Sequence, residues 1–273
     1  MELFDLSGRT AVIIGASGAI GGAIALGMAR AGANLALCYN SRSAPVDDIA
    51  EQARSIGRQA ETYKVDALDA ASFEANAADV IGAFGRIDVL VNSGGGNLAS
   101  AMTGDGVRFF DLPLGSIEDT LRLNFVGGTV APCIAYGRRM VDNDSGGSII
   151  NITSMNAFRP LEGRPAYAAA KAAVSNFTQW LACHIAKEYT PLVRVNAIAP
   201  GFFPNERMRA ALYREDGSYS ARGEKIIAHT PMGRIGKVED IVGTAIWYAA
   251  PASAFVSGTI TPVDGGFNAY AGL

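Results

Sequence analysis

The amino-acid sequence predicts an α/β protein with a doubly wound, parallel, seven-stranded sheet, helices on both faces and a single domain. One observation behind this prediction is that short apolar, β-branched runs alternate with helix-length segments along all 273 residues. Another is that most of these runs are continuously hydrophobic, which is typical of parallel strands covered on both sides. Alternating strands and helices imply right-handed crossovers within one sheet. No Pro/Ser-rich linker or fixed-period repeat divides the chain.

The predicted elements follow one another in a regular order. Strands are expected at 10–14, 34–39, 62–66, 89–92, 148–153, 194–198 and 260–263, and helices at 19–31, 46–56, 71–84, 117–141, 165–189 and 238–249. Two long segments, 93–113 and 201–236, interrupt the alternation. Both leave the carboxyl ends of strands, where ligands bind in open α/β sheets, so we expect them to be substrate loops within one domain spanning 1–273.

The net charge and the cysteine content argue against several classes of protein. The net charge of −3 argues against a nucleic-acid binder, which would carry a basic surface. The three cysteines, Cys38, Cys133 and Cys183, are too widely spaced for a disulfide framework or a zinc site. All three fall in apolar runs, so we expect buried thiols in a reducing compartment and no metal site.

Residues 10–29 carry no charge, and twenty such residues have the length of a transmembrane helix. The stretch nevertheless begins with a β-branched run and contains five glycines, and acidic Glu2 and Asp5 precede it. Acidic residues have the wrong sign for the start of a signal peptide. We therefore interpret it as a strand, a glycine turn and a buried helix, and expect a cytoplasmic protein without membrane attachment.

The glycine turn predicts a nucleotide site. A turn between the first strand and first helix of a Rossmann-type unit offers backbone N–H groups to an anion, and small residues let a pyrophosphate approach. A tight turn without a ligand is the alternative. The predicted cofactor contacts in this turn are Gly15, Ser17, Gly18, Ala19, Ile20 and Gly21.

The end of the second strand bears on which dinucleotide is bound. An acid there would bind the ribose 2′-hydroxyl of NAD, but none occurs before Asp47. Ser41 and Arg42 are instead able to donate to a 2′-phosphate, which favours NADP, with NAD as the alternative. The predicted cofactor contacts in this segment are Tyr39, Asn40, Ser41 and Arg42. The alternative for Arg42 is a solvated loop residue that makes no cofactor contact. At the end of the third strand, Asp66 and Ala67 are expected to contact the adenine, with Asp66 accepting from its amino group. The alternative is that Asp66 caps a helix.

A candidate catalytic group lies in the second half of the chain. Tyr167 and Lys171 are four residues apart in a predicted helix, hence on one face. A nearby ammonium favours the phenolate and is expected to lower the tyrosine pKa from its usual value near 10. Ser154 ends the fifth strand thirteen residues before Tyr167, and Asn124 lies in the preceding helix.

With these residues the sequence resembles the short-chain dehydrogenase/reductase family over nearly its whole length. The matching positions are the glycine turn at 15–21, Asp66, Asn92 with Gly95, Asn124, Ser154, Tyr167, Lys171 and Pro200-Gly201. The resemblance implies that Tyr167 is the general acid/base and that Lys171 binds the nicotinamide ribose. Ser154 would bind the reacting oxygen and Asn124 would hold a water in a proton relay. Further cofactor contacts are expected at Asn92, Ser93, Gly94, Pro200, Gly201 and Phe203.

The chain departs from the family pattern at a few positions. Ile14 stands where the family usually has Thr, Ala19 where it has a glycine, Ser93-Gly94 where it has Asn-Ala, and Asn205 where it has Thr. The resemblance also implies a homo-oligomer, commonly a tetramer.

A narrower resemblance is to the D-mannonate oxidoreductase (fructuronate reductase)-like branch. It is visible at 154–161, 176–181, 201–204, 229–234 and 262–270. This branch acts on sugar acids, which implies an anionic substrate. The 201–236 segment carries six basic and four acidic residues, in agreement with such a substrate.

Three residues are candidates for substrate contact: Asn156, Arg159 and His229. Arg159, five residues beyond Ser154, is the preferred carboxylate partner, while His229 contacts substrate or caps its loop. His184 is expected to be packed in the core. Apolar residues of the 201–236 segment leave open another keto substrate, namely a polyol, an acyl thioester or a hydrophobic alcohol. A dinucleotide-binding sensor without turnover is the alternative from another class.

Overall fold

The computed structural model describes residues 2–104, 106–204 and 206–272, and only the backbone of residues 206 and 207. Seven parallel strands form one sheet in the order β3-β2-β1-β4-β5-β6-β7. Strand order reverses between β1 and β4, and such a reversal opens a crevice where ligands bind. The strands are β1 Thr10–Ile14, β2 Asn34–Tyr39, β3 Ala60–Lys64, β4 Val89–Asn92, β5 Gly147–Ile152, β6 Val193–Pro200 and β7 Ile260–Val263.

Helices cover both faces of the sheet, which confirms the predicted fold class. They are α1 Ala19–Arg30, α2 Ala44–Ser55, α3 Ala70–Phe84, α4 Leu114–Leu121, α5 Ala131–Met140, α6 Pro165–Glu188, α7 Glu206–Leu212, α8 Ala221–Ala228 and α9 Glu239–Ala249. α1, α2 and α9 pack on one face, and α3, α5 and α6 on the other. Successive residues of β1 point to opposite faces of the sheet. Ile13 packs in the core beneath α1, α2 and α9, and Val12 packs in the core beneath α3, α5 and α6.

Four strands have the predicted bounds, and the others differ for a physical reason. β3 is an edge strand whose register is set by hydrogen bonding to β2, with Ala60 opposite Leu35, and not by its own hydrophobicity. It therefore ends at Lys64, and Asp66 follows the strand by two residues instead of ending it. β6 continues to Pro200, two residues beyond the predicted end, because β7 pairs with it there.

The helix predicted at 117–141 is interrupted by a π-helical segment, Arg122–Val130. Gly127 and Gly128 allow this segment to approach two loops closely. A Cβ on Gly127 would collide with the Ala67 carbonyl oxygen, and one on Gly128 would lie 2.7 Å from that of Gly94. The segment therefore packs against the loops that follow β3 and β4, at the edge where ligands are expected; π-helical turns are frequent at functional sites.

The 201–236 segment is more ordered than a loop, because it contains α7 and α8. Their apolar side chains pack on one another and on the loop after β5. We call this group the lid cluster, with buried members Met155, Phe202, Leu212, Ile226 and Ile235. It is a separate small core, which explains how two short helices are held outside the sheet.

Two expectations of burial on α6 are wrong. Cys38 and Cys133 are buried as expected, but Cys183 is exposed. His184 is half-buried and stacks on Trp180, with 4.7 Å between the ring centroids, instead of lying in the core. Both residues lie on the outer face of a long helix, and single-sequence hydrophobicity does not distinguish that face from the inner one.

The uncharged stretch 10–29 forms β1, the glycine turn and most of α1. Among the helices the structure describes, none combines the length and apolar character needed to cross a membrane.

Candidate active site

The glycine turn between β1 and α1 forms a cradle at the carboxyl edge of the sheet. Gly15 has φ +78°, and a Cβ on it would lie 2.9 Å from the Gly94 nitrogen. Gly18 is the N-cap of α1 and supplies no side chain to the first helical N–H groups. Those N–H groups have no partner within a helix and suit an anion. The methyl group of Ala19 is exposed, so this departure from the family pattern creates no clash within the chain.

Arg42 lies against this cradle. Its Nη2 donates to the Ser17 carbonyl oxygen at 2.9 Å, which brings the segment after β2 to the glycine turn. Ser41 and Asn40 are exposed beside it, and Tyr39 is half-buried. A cradle that a Cβ would fill, with a guanidinium at its side, fits a dinucleotide with its phosphates at α1.

Asp66 does not cap a helix. Its Oδ1 accepts from Leu68 N at 2.9 Å, whereas α3 is capped by Asp69, which accepts from Ala71 N. The capping alternative is therefore wrong for Asp66, and its contact with adenine stays a prediction. Ala67 lies next to it, half-buried, with its carbonyl against Gly127.

Asn92, at the end of β4, directs its side chain into the sheet. Its Nδ2 donates to Asn151 Oδ1 at 2.9 Å and to Cys133 Sγ at 3.2 Å. Its Oδ1 is buried without a partner among the described residues. Ser93 N donates to the Ile14 carbonyl oxygen, which joins the ends of β4 and β1. Asn92 thus braces neighbouring strands beneath the site, while Ser93 and Gly94 face the glycine turn.

Asn124 is fully buried in the π-helical segment, and its side chain is already engaged. Its Nδ2 donates to the carbonyl oxygens of Gly96 and Thr120 at 2.8 and 2.9 Å, and its Oδ1 accepts from Gly96 N at 2.9 Å. The amide therefore fastens the start of the 93–113 segment. Because both amide N–H groups are used, any water relay at Asn124 would depend on its main-chain carbonyl.

Ser154, Tyr167 and Lys171 converge at the carboxyl end of β5. Lys171 Nζ donates to the Ile152 carbonyl oxygen at 2.9 Å and lies 5.6 Å from the centroid of the Tyr167 ring. The Ser154 side chain lies close enough to the Tyr167 phenol to lower its pKa. Thr153 accompanies them by donating to the Lys171 carbonyl oxygen. A hydroxyl, a phenol and an amine in contact are able to bind a substrate oxygen and exchange a proton with it.

Burial governs the protonation of these groups. It raises the pKa of Tyr167, and hydrogen bonding from Ser154 and the nearby charge of Arg164 only partly oppose this. Burial also lowers the pKa of Lys171 to about 8. The expected net lowering of the Tyr167 pKa is therefore not found in the protein alone, because the cost of desolvating the phenolate is larger than the opposing effects of Ser154 and Arg164.

The three candidate substrate residues have structural partners. Asn156 is buried and accepts from Leu161 N at 2.7 Å. Arg159 is exposed, and its Nε donates to the Asn268 carbonyl oxygen at 2.8 Å. His229 is exposed at the end of α8, with Nδ1 2.8 Å from the Lys225 carbonyl oxygen, which agrees with the loop-capping alternative. None of these contacts joins the three residues to Ser154, Tyr167 and Lys171, apart from the hydrogen bond of Asn156 N to Ser154 Oγ.

Pro200 ends β6, and Gly201 leads the chain toward the lid cluster. A Cβ on Gly201 would lie 2.7 Å from Asp264 Cα, so only glycine fits there. Phe203 is almost fully buried and packs in the core on the α1 side of the sheet. A cofactor contact from Phe203 would thus come chiefly from its backbone. Asn205 lies outside the described residues.

Arg164 is a candidate residue that the sequence prediction missed. It is the N-cap residue of α6, three positions before Tyr167, and its buried Nε has no partner in the described part of the chain. Its charge acts on Tyr167, and that of Arg222 on α8 acts on Arg164. The only sequence signal was its position directly before Pro165, which begins the helix of Tyr167.

Comparison with known proteins agrees with this arrangement. A family model described as enoyl-(acyl carrier protein) reductase matches residues 15–268. The uncharacterized oxidoreductase UxuB of Bacillus subtilis is 40% identical, covering 98% of both chains. A 2-dehydro-3-deoxy-D-gluconate 5-dehydrogenase of Pseudoalteromonas atlantica is 32% identical, and the match covers 98% of both chains. A 7alpha-hydroxysteroid dehydrogenase of Escherichia coli is 30% identical, and the match covers 96% of this chain and 94% of the relative.

Solved structures show the same fold with a bound dinucleotide. A Haemophilus influenzae protein provisionally named D-mannonate oxidoreductase, with bound NAD, has a TM-score of 0.89 and 36% identity over 98% of both chains. A gluconate 5-dehydrogenase of Burkholderia cenocepacia, in complex with NADP and tartrate, has a TM-score of 0.83 and 29% identity over 99% of both chains. The chain belongs to the short-chain dehydrogenase/reductase family of NAD(P)-dependent oxidoreductases, which act on alcohol and ketone groups.

Proposed function

We propose that this protein interconverts a secondary alcohol and a ketone on a sugar acid of the mannonate/fructuronate type. The contact of Ser154, Tyr167 and Lys171 at the end of β5 is the observation on which the proposed chemistry rests. When bound, the nicotinamide would supply or accept the hydride. The remaining chemistry at the substrate oxygen belongs to side chains of this protein.

In the reductive direction, Tyr167 gives its phenolic proton to the substrate oxygen as that oxygen gains negative charge. Ser154 donates a hydrogen bond to the same oxygen and keeps it next to the phenol. Lys171, in its protonated form, stabilises the phenolate that Tyr167 becomes and binds the nicotinamide ribose. In the oxidative direction the phenolate takes the proton back. Because the pKa of Tyr167 is raised, the phenol holds its proton at neutral pH and is able to donate it. In the protein alone this favours the reductive direction.

The packing of the 201–236 segment supports a polar substrate. A hydrophobic alcohol needs a continuous apolar wall, and the segment's apolar residues were the reason to consider one. Phe202 and Leu212 are instead buried in the lid cluster, with Met208 and Tyr213 packed against it. Sugar acids are also the substrates named for relatives of similar length. The steroid relative keeps a hydrophobic alcohol as the alternative substrate.

We further propose NADP as the preferred cofactor, with NAD as the alternative. Arg42 reaches the glycine turn, and β2 is followed by no carboxylate before Asp47, so nothing there would repel a 2′-phosphate. The Haemophilus protein was solved with NAD and the Burkholderia protein with NADP, so the relatives do not decide between them.

We also propose a homo-oligomer, with a tetramer as the expected form. The support is an aromatic stack on the outer face of α6, formed by Phe177, Trp180 and His184, that leaves Trp180 55% exposed. Light scattering after gel filtration measures the state, and a monomer at micromolar concentration would contradict this proposal.

A spectrophotometric screen tests the proposed function. NADP and NAD are each offered with D-mannonate, D-gluconate and hexuronates, and with mannitol and a steroid alcohol as uncharged comparisons. We expect turnover with the sugar acids at a higher kcat/KM than with the uncharged compounds. Preference for the steroid would favour the hydrophobic alternative. Binding of dinucleotide without turnover on any of these substrates would favour a sensor.

A further inference from the structure

Arg164 occupies an unusual position at the start of α6. Its guanidinium lies within electrostatic reach of the Tyr167 phenol, on the same helix and one turn earlier. Gly163, directly before it, accepts a hydrogen bond from Thr103 N at 3.1 Å, and a Cβ there would lie 2.9 Å from the Thr103 carbonyl oxygen. The 93–113 segment therefore packs against the backbone directly before Arg164. The Arg164 side chain is half-buried, and its Nε atom is buried.

No group in the described part of the chain neutralises the charge of Arg164. Within the residues that the structure describes, the Arg164 side chain has neither a hydrogen bond nor an ion pair, and its Nε is buried. A buried donor without a partner costs free energy that other groups must offset. Arginines nearby behave differently: Arg214 pairs with Glu224 and Arg234 with Asp240. The lack of a partner at Arg164 therefore does not extend to Arg214 or Arg234.

The charge that acts most strongly on Arg164 is that of a second cation, Arg222. Arg222 lies in the first turn of α8, where the helix dipole disfavours a positive charge, and no described residue pairs with it. Two guanidiniums that approach each other beside a catalytic tyrosine make a local excess of positive charge. A bound anion would relieve this repulsion and satisfy the buried Nε of Arg164.

We propose that Arg164, assisted by Arg222, binds the carboxylate of the substrate. This inference rests on the proposed sugar-acid function and names the residues that select the acid. In this proposal Arg164 takes the place of Arg159 as the carboxylate partner, because the Arg159 guanidinium already donates to the Asn268 carbonyl oxygen. The carboxylate would be held one helical turn from Tyr167, which leaves the hydroxylated chain of the acid to extend toward Ser154.

Steady-state kinetics of Arg164→Gln and Arg222→Gln, with D-mannonate and D-mannitol as a charged and an uncharged substrate, test this proposal. We expect Arg164→Gln to raise KM for D-mannonate roughly 10- to 100-fold while KM for D-mannitol changes less than about threefold, since one charge-assisted pair is lost. Arg222→Gln should show the same selectivity with a smaller effect. Arg164→Lys should restore part of the loss, because it keeps the charge without the planar fork. Dinucleotide affinity, measured by fluorescence, should not change.

Arg159→Gln and Arg214→Gln are the matched controls, since each removes a nearby guanidinium that already has a protein partner. We expect neither to change the ratio of the two KM values. Equal losses on D-mannonate and D-mannitol in Arg164→Gln would indicate a structural role and overturn the proposal.

Calorimetry with tartrate and the dinucleotide-bound enzyme separates this inference from the proposed function. If wild-type enzyme oxidises no sugar acid but binds tartrate through Arg164, the proposed function fails and the anion site stands. If wild-type enzyme oxidises D-mannonate and Arg164→Gln does so with unchanged KM, the anion site fails and the function stands. If wild-type enzyme neither oxidises sugar acids nor binds tartrate, both are overturned.

Discussion

The end of β5 with α6 and the 201–236 segment form two sides of one site but are built in different ways. Ser154, Tyr167 and Lys171 lie on a long helix and the sheet, and backbone carbonyls such as that of Ile152 hold them. The lid cluster is a separate small core in which residues of two short helices pack with Met155 and Phe202. We infer that the proposed chemical step is placed on the main core, while the lid cluster, with a small core of its own, unfolds locally at a lower free-energy cost.

Removing the Tyr167 hydroxyl group tests the rigid side most strongly. Tyr167→Phe should lower kcat by roughly 10²- to 10⁴-fold, the usual contribution of a general acid/base, with little change in dinucleotide affinity. Stopped-flow kinetics and fluorescence titration measure the two quantities. Turnover within threefold of the wild type would show that another group moves the proton.

A substitution at the cofactor end should have an intermediate effect. Arg42→Ala should raise KM for NADP roughly 10- to 100-fold, because a guanidinium–phosphate contact is lost, and should affect NAD less. The ratio of kcat/KM for the two cofactors is the measurement. Arg122→Ala is a suitable control, since Arg122 is an exposed arginine bonded to the Leu68 carbonyl oxygen. An unchanged ratio in Arg42→Ala would remove the argument for NADP.

Opening a cavity in the lid cluster tests whether the two sides are independent. Leu212 is 1% exposed, and Leu212→Ala should destabilise the packing of α7 and α8 by about 2–5 kcal/mol. We expect faster limited proteolysis within residues 206–228 and a higher KM, with Tm almost unchanged. A fall in Tm as large as that of Val195→Ala in the central sheet would show that the lid cluster and the sheet unfold together.

The smallest expected effect concerns pH. The pKa of Lys171 is about 8 in the folded protein against 10.5 for an ordinary lysine, so the unfolded chain binds more protons between those values. The Lys171 contribution to the free energy of unfolding should therefore rise with pH, by at most about 1.4 kcal/mol per unit. The raised pKa of Tyr167 opposes this above pH 10, where the unfolded phenol loses its proton. Urea unfolding at pH 7.5 and 9.5, for wild type and Lys171→Met, measures the difference. An equal pH dependence in both proteins would contradict it.

The fold, and the meeting of Ser154, Tyr167 and Lys171 at one end of the sheet, could be predicted because they depend on local patterns. Strand–helix alternation, the glycine turn, and the spacing of Ser154, Tyr167 and Lys171 are all visible in a single sequence. The partners of Arg159 and His229 could not be predicted, because Asn268 is 109 residues away from the first and a main-chain carbonyl serves the second. Arg164 was missed for the converse reason: it has no partner among the described residues, and a sequence does not show which charges are left unpaired.

The stacked Trp180 and His184 on α6 offer an optical signal for assembly. The chain has two tryptophans, and the other, Trp247, is half-buried with its Nε1 donating to the Ala252 carbonyl oxygen. Emission from Trp247 should therefore vary little between subunit states, whereas covering Trp180 by a second subunit should shift its emission to the blue. Dilution of the native enzyme in a fluorimeter would follow dissociation without any added label.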